Sequence, residues 1–214
     1  MEMGEVTVND EVAVPGMRVT GEEKIKVRDQ IVRGVRKKVV VAWYKPVGVT
    51  VTDSDPHAQV TIRDVFHYPV RLTYAGRLDR DSEGLLLMTN DGALIDAMMH
   101  ARAGHEKEYI VRVRKKITDE ELNRMRKGIW LKDLGQKTRP CRIERLGEYT
   151  FRITLTQGLN RQIRRMCLAT GHEVKILKRI RVLTVSLGNL KPGQMRELGE
   201  DELMSLYQSA GLKR

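Results

Sequence analysis

Tyr149-Thr150-Phe151-Arg152-Ile153-Thr154-Leu155 alternates large apolar with polar or small side chains without a break. A period of two marks a strand buried on one face, and such strands build antiparallel sheets. Reading downstream, Asn160 can cap a helix through Ile163, Met166, Cys167 and Thr170 to Gly171, since Asn accepts from free N–H groups at a helix start and Gly suits its end. Strands are expected within Ile180–Leu187, then a closing helix near 200–209. Upstream, Val39–Tyr44 is strongly β-prone, Leu85–Met88 reads as a buried strand, and Asn90-Asp91-Gly92 turns into a helix carrying Leu94, Ile95, Met98 and Met99. Thr118 with Glu121 forms a capping-box signature ahead of Leu122 and Met125. Strands outnumber helices and do not alternate with them one for one, so the expected class is α+β with a long, mostly antiparallel sheet.

The 214 residues include 39 Lys plus Arg against 28 Asp plus Glu, a net charge of +11, with 41% hydrophobic residues. A chain of this size buries a real core, and its charge favours a polyanionic partner. The excess is regional. Residues 1–32 hold four basic and seven acidic groups, whereas 161–181 hold seven basic and one acidic. Alternation at 5–8 and 24–27, with turns at Val14-Pro15-Gly16 and Thr20-Gly21, makes the first thirty residues short strands, too few to fold alone. The run Arg33–Lys38 reads as a solvated linker, and the domain boundary is placed near 36, dividing 1–35 from 36–214. Two cysteines, Cys141 and Cys167, make no disulfide framework, and the five histidines show no metal-ligand spacing. No metal site or cofactor is expected. Met1–Glu5 lacks the features of a signal peptide, and no apolar run is long enough to span a membrane. The expectation is a cytoplasmic monomer.

Four segments carry side chains suited to chemistry. Tyr74–Gly84 is a polar, glycine-bounded loop before a buried strand, with Asp79, Asp81 and Glu83 flanked by Arg77 and Arg80. Neighbouring carboxylates raise one another's pKa unless cations offset the repulsion, and loops fixed by strands are where catalytic groups concentrate. A solvated turn is the plainer reading. Gln157–Met166 ends a strand and opens an arginine-rich helix, where anions are attracted. With Ile163, Met166 and Cys167 inward, Arg161 and Arg165 face away and Arg164 lies between. Simple helix solubility competes with phosphate contact there. Tyr109 shares a strand face with Val111 and Val113; it is a core residue or the aromatic floor of a base-binding pocket. Tyr44-Lys45-Pro46-Val47-Gly48 is a strand end breaking into a turn.

In this order and with these gaps, the segments resemble the RsuA/RluB/RluE/RluF group of pseudouridine synthases over roughly 39–190. Gly76-Arg77-Leu78-Asp79 with Asp81–Leu87 is the most specific element, supported by Lys45–Gly48, Lys107-Glu108-Tyr109 and Leu159–Met166. The Asn160-Arg161-Gln162-Ile163-Arg164 form looks closest to the RluE and RluF branch. The resemblance implies a pseudouridine synthase fold with a central cleft and isomerisation of a specific uridine in structured RNA, ribosomal (large-subunit) or transfer RNA, without cofactor. It implies Asp79 as the catalytic carboxylate, Arg164 as its ion-pair partner, Tyr109 under the uracil with Ile163 against it, and Arg77 filling the gap left by the flipped base. Lys45, Lys107, Asn160, Arg161 and Arg165 are implied as RNA contacts or, for the two lysines, site support. Residues 1–35 resemble the β half of an S-four-type RNA-binding domain, a normal copy of which has further helical residues upstream.

Two other classes fit the bare residues. A magnesium-dependent ribonuclease would use Asp79, Asp81 and Glu83 as oxygen ligands, opposed by the charges of Arg77 and Arg80. A non-catalytic RNA-binding module would explain the charge but not the loop motif.

Overall fold

The computed structural model describes residues 5–19, 23–32, 37–52, 55, 57–99 and 104–212. Gly4, the Thr20-Gly21 turn, the first four residues of the linker run (33–36) and His100 lie outside them. The chain divides into two compact units, residues 1–38 and 39–214. The smaller holds a sheet of β1 (Val6–Val8), β2 (Glu11–Val12), β3 (Ile25–Val27) and β4 (Gln30–Ile31), ordered β2-β1-β3-β4. Val8 and Ala13 are its buried apolar side chains among the described residues, consistent with a sheet too small to build a core.

In the larger unit the elements are β5 (Val40–Lys45), α1 (Ile62–Val65), β6 (Thr73–Tyr74), β7 (Glu83–Thr89), α2 (Gly92–Met99), β8 (Lys107–Val113), α3 (Asp119–Arg126), β9 (Trp130–Leu131) and β10 (Gln136–Lys137). After them come β11 (Arg142–Arg145), β12 (Thr150–Leu155), α4 (Gln162–Leu168), β13 (Val174–Val182), β14 (Val185–Ser186), β15 (Met195–Glu197) and α5 (Glu200–Ser209). Among the described residues, nine strands form one sheet with the path β11-β12-β8-β13-β7-β5-β15, where β14 pairs with β13 and β6 with β7. All its pairings are antiparallel except β13 with β7. That parallel seam is short, with Lys178 opposite Glu83 and Arg179 opposite Gly84.

Burial follows the patterns. Phe151, Ile153 and Leu155 of β12 point into a cluster with Val111, Val113, Leu122, Met125, Ile163 and Met166. In β7 both faces are covered: Leu85 and Leu87 join one cluster, Leu86 and Met88 another. A strand covered on both sides reads as an unbroken apolar run, as Leu85–Met88 does. The α3 capping box forms as expected, Thr118 N–H donating to Glu121 Oε2 at 2.7 Å and Glu121 N–H to Thr118 Oγ1 at 3.3 Å.

Three local expectations are corrected. Tyr149 lies before β12 and is 41% exposed. Helix α4 ends at Leu168, short of Gly171. Asn160 does not cap α4: Arg161 occupies the N-cap in the left-handed region with φ 49°, and the Gln162 side chain accepts from Leu159 N–H at 3.0 Å. At seven residues α4 is short, so little dipole accumulates at its start.

Candidate active site

Between β6 and β7 the chain makes an irregular loop whose backbone is held by buried cations. Arg179, 2% exposed on β13, donates from Nε to Leu85 O at 2.6 Å and from Nη1 to Arg77 O at 3.1 Å, bracketing the loop at both ends. Lys45, fully buried at the end of β5, donates from Nζ to Ser82 O at 2.8 Å, Pro46 O at 2.8 Å and Arg80 O at 3.4 Å. Gly48 N–H adds a bond to Arg80 O at 2.8 Å and Ser82 N–H one to Asp79 O at 3.0 Å. Buried donors matched to carbonyls fix a loop at low cost, because neither side is left unpaired. Burial, reinforced by the Arg179 charge, pushes Lys45 down to about 8. The expectation of Lys45 as an RNA contact is therefore corrected: its ammonium is spent on loop carbonyls out of solvent, which is site support.

The three loop carboxylates separate. Asp79 lines a cleft of about 460 Å³, whereas Asp81 does not. Glu83 turns to the Tyr44 hydroxyl, which donates to it at 3.0 Å. Among the described residues no three His, Cys, Asp or Glu side chains converge as a metal site, and with Glu83 turned to Tyr44 the three-carboxylate set of the ribonuclease reading is not assembled.

Facing the loop is the start of α4. Arg161 Nη1 lies 3.9 Å from Asp79 Oδ2 and 3.7 Å from Asp81 Oδ2. A non-glycine residue held at positive φ stores strain that its surroundings must overcome; here the strained backbone aims a guanidinium at both aspartates. Arg164 Nη2 donates to Asp81 O at 2.7 Å and Ser82 Oγ at 3.4 Å, and its buried Nε–H has no acceptor among the described residues. Burial, then the Arg161 charge, lowers the Arg164 guanidinium, while Asp79 and Asp81 oppose that shift. Thus Arg164 feels the Asp79 charge while its hydrogen bonds go to the loop after it. The expected direct pair is taken by Arg161 in this arrangement. Arg165 contacts Asp133 and donates to Asn160 O at 2.8 Å and Asn160 Oδ1 at 3.2 Å. Arg165 is thus occupied by Asp133 and Asn160, whereas Asn160 is exposed and also lines the cleft.

Tyr109, Ile163 and Lys107 also line the cleft. Tyr109 is half-buried and borders two core clusters, one of them containing Ile163. Arg77 is exposed at the cleft edge. Lys107 donates to His105 O at 3.4 Å, and burial, with Arg179 beside it, pushes its ammonium down to about 8. His105 is itself buried and held below its usual range by desolvation and then by Lys107. Lys107 is charged below about pH 8 and neutral above it, so a contribution to phosphate binding disappears as pH rises. RNA affinity is expected to fall several-fold between about pH 7 and 8.5, and to fall less in Lys107→Arg, whose group keeps its proton while Lys45 titrates alike in both proteins. Binding isotherms across that range check this; identical slopes for both proteins would remove Lys107 from RNA contact.

Residues 39–169 match the family model described as RNA pseudouridylate synthase. The chain belongs to this family. It is 41% identical over 209 residues to the dual-specificity RNA pseudouridine synthase RluF of Escherichia coli strain K12, covering 97% of this chain and 71% of that one. It is 35% identical over 211 residues to ribosomal large subunit pseudouridine synthase B of Bacillus subtilis strain 168, covering 95% and 85%. A solved structure described as a pseudouridylate synthase aligns with TM-score 0.75 at 28% identity, over 96% of this chain and 90% of that one. The α+β expectation and the pseudouridine synthase fold hold, and the chain is an RNA-modifying enzyme of this family. Sequence reasoning missed Arg179. The signal was available: counting by two from the buried Leu177 lands on it.

Proposed function

We propose that this pseudouridine synthase isomerises a uridine in ribosomal RNA of the large subunit, with Asp79 as the catalytic carboxylate and Tyr109 stacked against the uracil. The observation that carries it is the position of Asp79, the one carboxylate of its loop that lines the cleft, together with Tyr109 in the same cavity. The reaction detaches uracil from ribose, turns it and rejoins it through carbon, with no net redox change and no hydrolysis, so no cofactor is chemically required. The carboxylate acts by adding to the ring, attacking the sugar or abstracting a sugar proton; all three place it beside the same nucleotide. Arg161 lies against the Asp79 carboxylate while Arg164 holds the loop just after it, and Arg77 fills the stack vacated by the flipped base. The relatives' names, one of which specifies the ribosomal large subunit, support this RNA class. Residues 1–35 act as the β half of an S-four-type RNA-binding domain, and the protein works as a cytoplasmic monomer. No helix among the described residues is long and apolar enough to cross a membrane.

Carbodiimide labelling and primer extension on ribosomal and transfer RNA, from cells lacking the gene, tests this. One large-subunit pseudouridine is expected to vanish and to return with the wild-type protein but not with Arg164→Met, which loses the charge near Asp79. A site found only in transfer RNA would overturn the substrate class. Full restoration by Arg164→Met would remove Arg164 from the mechanism.

A further inference from the structure

The chain has two tryptophans. Trp43 is 1% exposed, sealed in the core beside Phe66, whereas Trp130 is 57% exposed on β9. In the β9–β10 ribbon Trp130 is paired in register with Lys137, and directly opposed residues of an antiparallel pair project from one face. Leu131 and Thr138 turn the other way, at 2% exposure each, and Leu131 belongs to the same core cluster as the cleft residue Ile163. A two-stranded ribbon is marginal on its own, but this one is anchored at its base. Ile129 N–H donates to Thr138 Oγ1 at 2.9 Å, Thr138 N–H donates to Ile129 O at 2.9 Å, and a Cβ on Gly128 would stand 2.3 Å from Thr138 O. It is also tied to the cleft wall at two points: Arg139 N–H donates to Gln157 Oε1, a cleft residue, at 2.5 Å, and Asp133 contacts Arg165 on α4.

The surrounding charge is one-sided. Residues 124–142 hold seven basic groups and one acidic, Asp133, and Asp133 is taken by Arg165. Lys132, Lys137 and Arg139 are exposed, and among the described residues none of them has an ion-pair partner. A large indole held in water on a rigid ribbon, with unpaired cations beside it and a fixed link to the catalytic cleft, matches the requirements for binding a nucleic-acid strand: a face for a base and charges for phosphates.

We infer that the outer face of the β9–β10 ribbon is a second RNA-binding surface, on which Trp130 stacks an unpaired base of the substrate strand while Lys137 and Arg139 contact its phosphates. This rests on the proposed action on RNA and extends it beyond the cleft.

Trp130 reports on itself. A stacked base quenches indole emission, so titrating the full chain with a dye-labelled 12-nucleotide oligouridine should lower tryptophan fluorescence in step with binding followed by dye anisotropy. In Trp130→Phe, which leaves only the sealed Trp43, RNA should bind but leave emission unchanged. With deproteinised ribosomal RNA as substrate, Trp130→Ala should raise KM about ten-fold with kcat within about two-fold, and Trp130→Phe should restore KM, since base stacking is a sequence-tolerant contact of this order. Lys137→Gln with Arg139→Gln should flatten the slope of log affinity against log salt by about 1.4. If RNA binds while wild-type emission stays constant, the surface is overturned, whatever the protein's activity. If emission falls with binding but no pseudouridine is made, the surface stands and the proposed substrate or reaction fails instead.

Discussion

Asp79→Asn is expected to bind RNA within several-fold of wild type and to convert it at least about a thousand-fold more slowly, the scale on which loss of an essential nucleophile or base reads out. The substitution is isosteric. The loop's backbone bonds, including Ser82 N–H to Asp79 O at 3.0 Å, do not depend on the side chain. What is lost besides the reactive oxygen is one contact to Arg161 at 3.9 Å, with both side chains a third or more exposed, and such pairs contribute about 1 kcal/mol or less. Folding should therefore survive. Asp81→Asn is the internal comparison, because it removes the matching contact to Arg161 at 3.7 Å from a carboxylate outside the cleft. Less than about a ten-fold loss is expected there, as for a nearby charge that does not touch the reacting atoms. Single-turnover rates on ribosomal RNA, with affinity measured separately, distinguish the two. An Asp79→Asn enzyme that retains its rate, or an Asp81→Asn enzyme that loses it, would move the catalytic role from one aspartate to the other.

Strands and helices were legible where burial imposes a period. Phe151, Ile153 and Leu155 announce their strand, and Thr118 with Glu121 announces a helix start, because each pattern is local. Partners were not. For Lys45 the sequence leaves RNA contact and site support open, and only the fold brings Ser82 O and Arg80 O around it. Arg165 reads as a phosphate contact until the ribbon after α3 delivers Asp133 to it, 32 residues away in sequence. Arg161 looks like one arginine among several in its helix, yet a positive φ makes it the one that meets Asp79. The shared cause is that charge is visible in a sequence, whereas its counter-group is chosen by contacts between distant segments. The motif around Asp79 was legible for the opposite reason: its residues are contiguous, so their order survives without knowledge of the fold.

Gly84→Ala should lower the melting temperature by about 10 °C, corresponding to about 3 kcal/mol or more for a chain of this size. Two costs combine. Gly84 sits at φ +105°, and a Cβ there would stand 2.2 Å from Arg179 O and 2.8 Å from Arg179 N. Both atoms are backbone, so the strain cannot be relieved by a side-chain rotation; β7 and β13 must separate at their parallel seam. That seam is the direct pairing between the β11-β12-β8-β13 half of the sheet, which bears Tyr109, and the β7-β5-β15 half, which the Asp79 loop leads into. Separation also draws the Arg179 guanidinium away from Leu85 O and Arg77 O, so the protein that remains folded should have a reduced kcat, with the loop no longer bracketed. Gly76→Ala separates the causes. Its φ is +92°, but nothing lies within 4 Å of its Cβ position, so it carries the dihedral cost alone, about 1 to 2 kcal/mol. Equal melting temperatures for the two variants would mean that the strands part without resistance, and that Arg179 does not hold the catalytic loop through close contact at the seam.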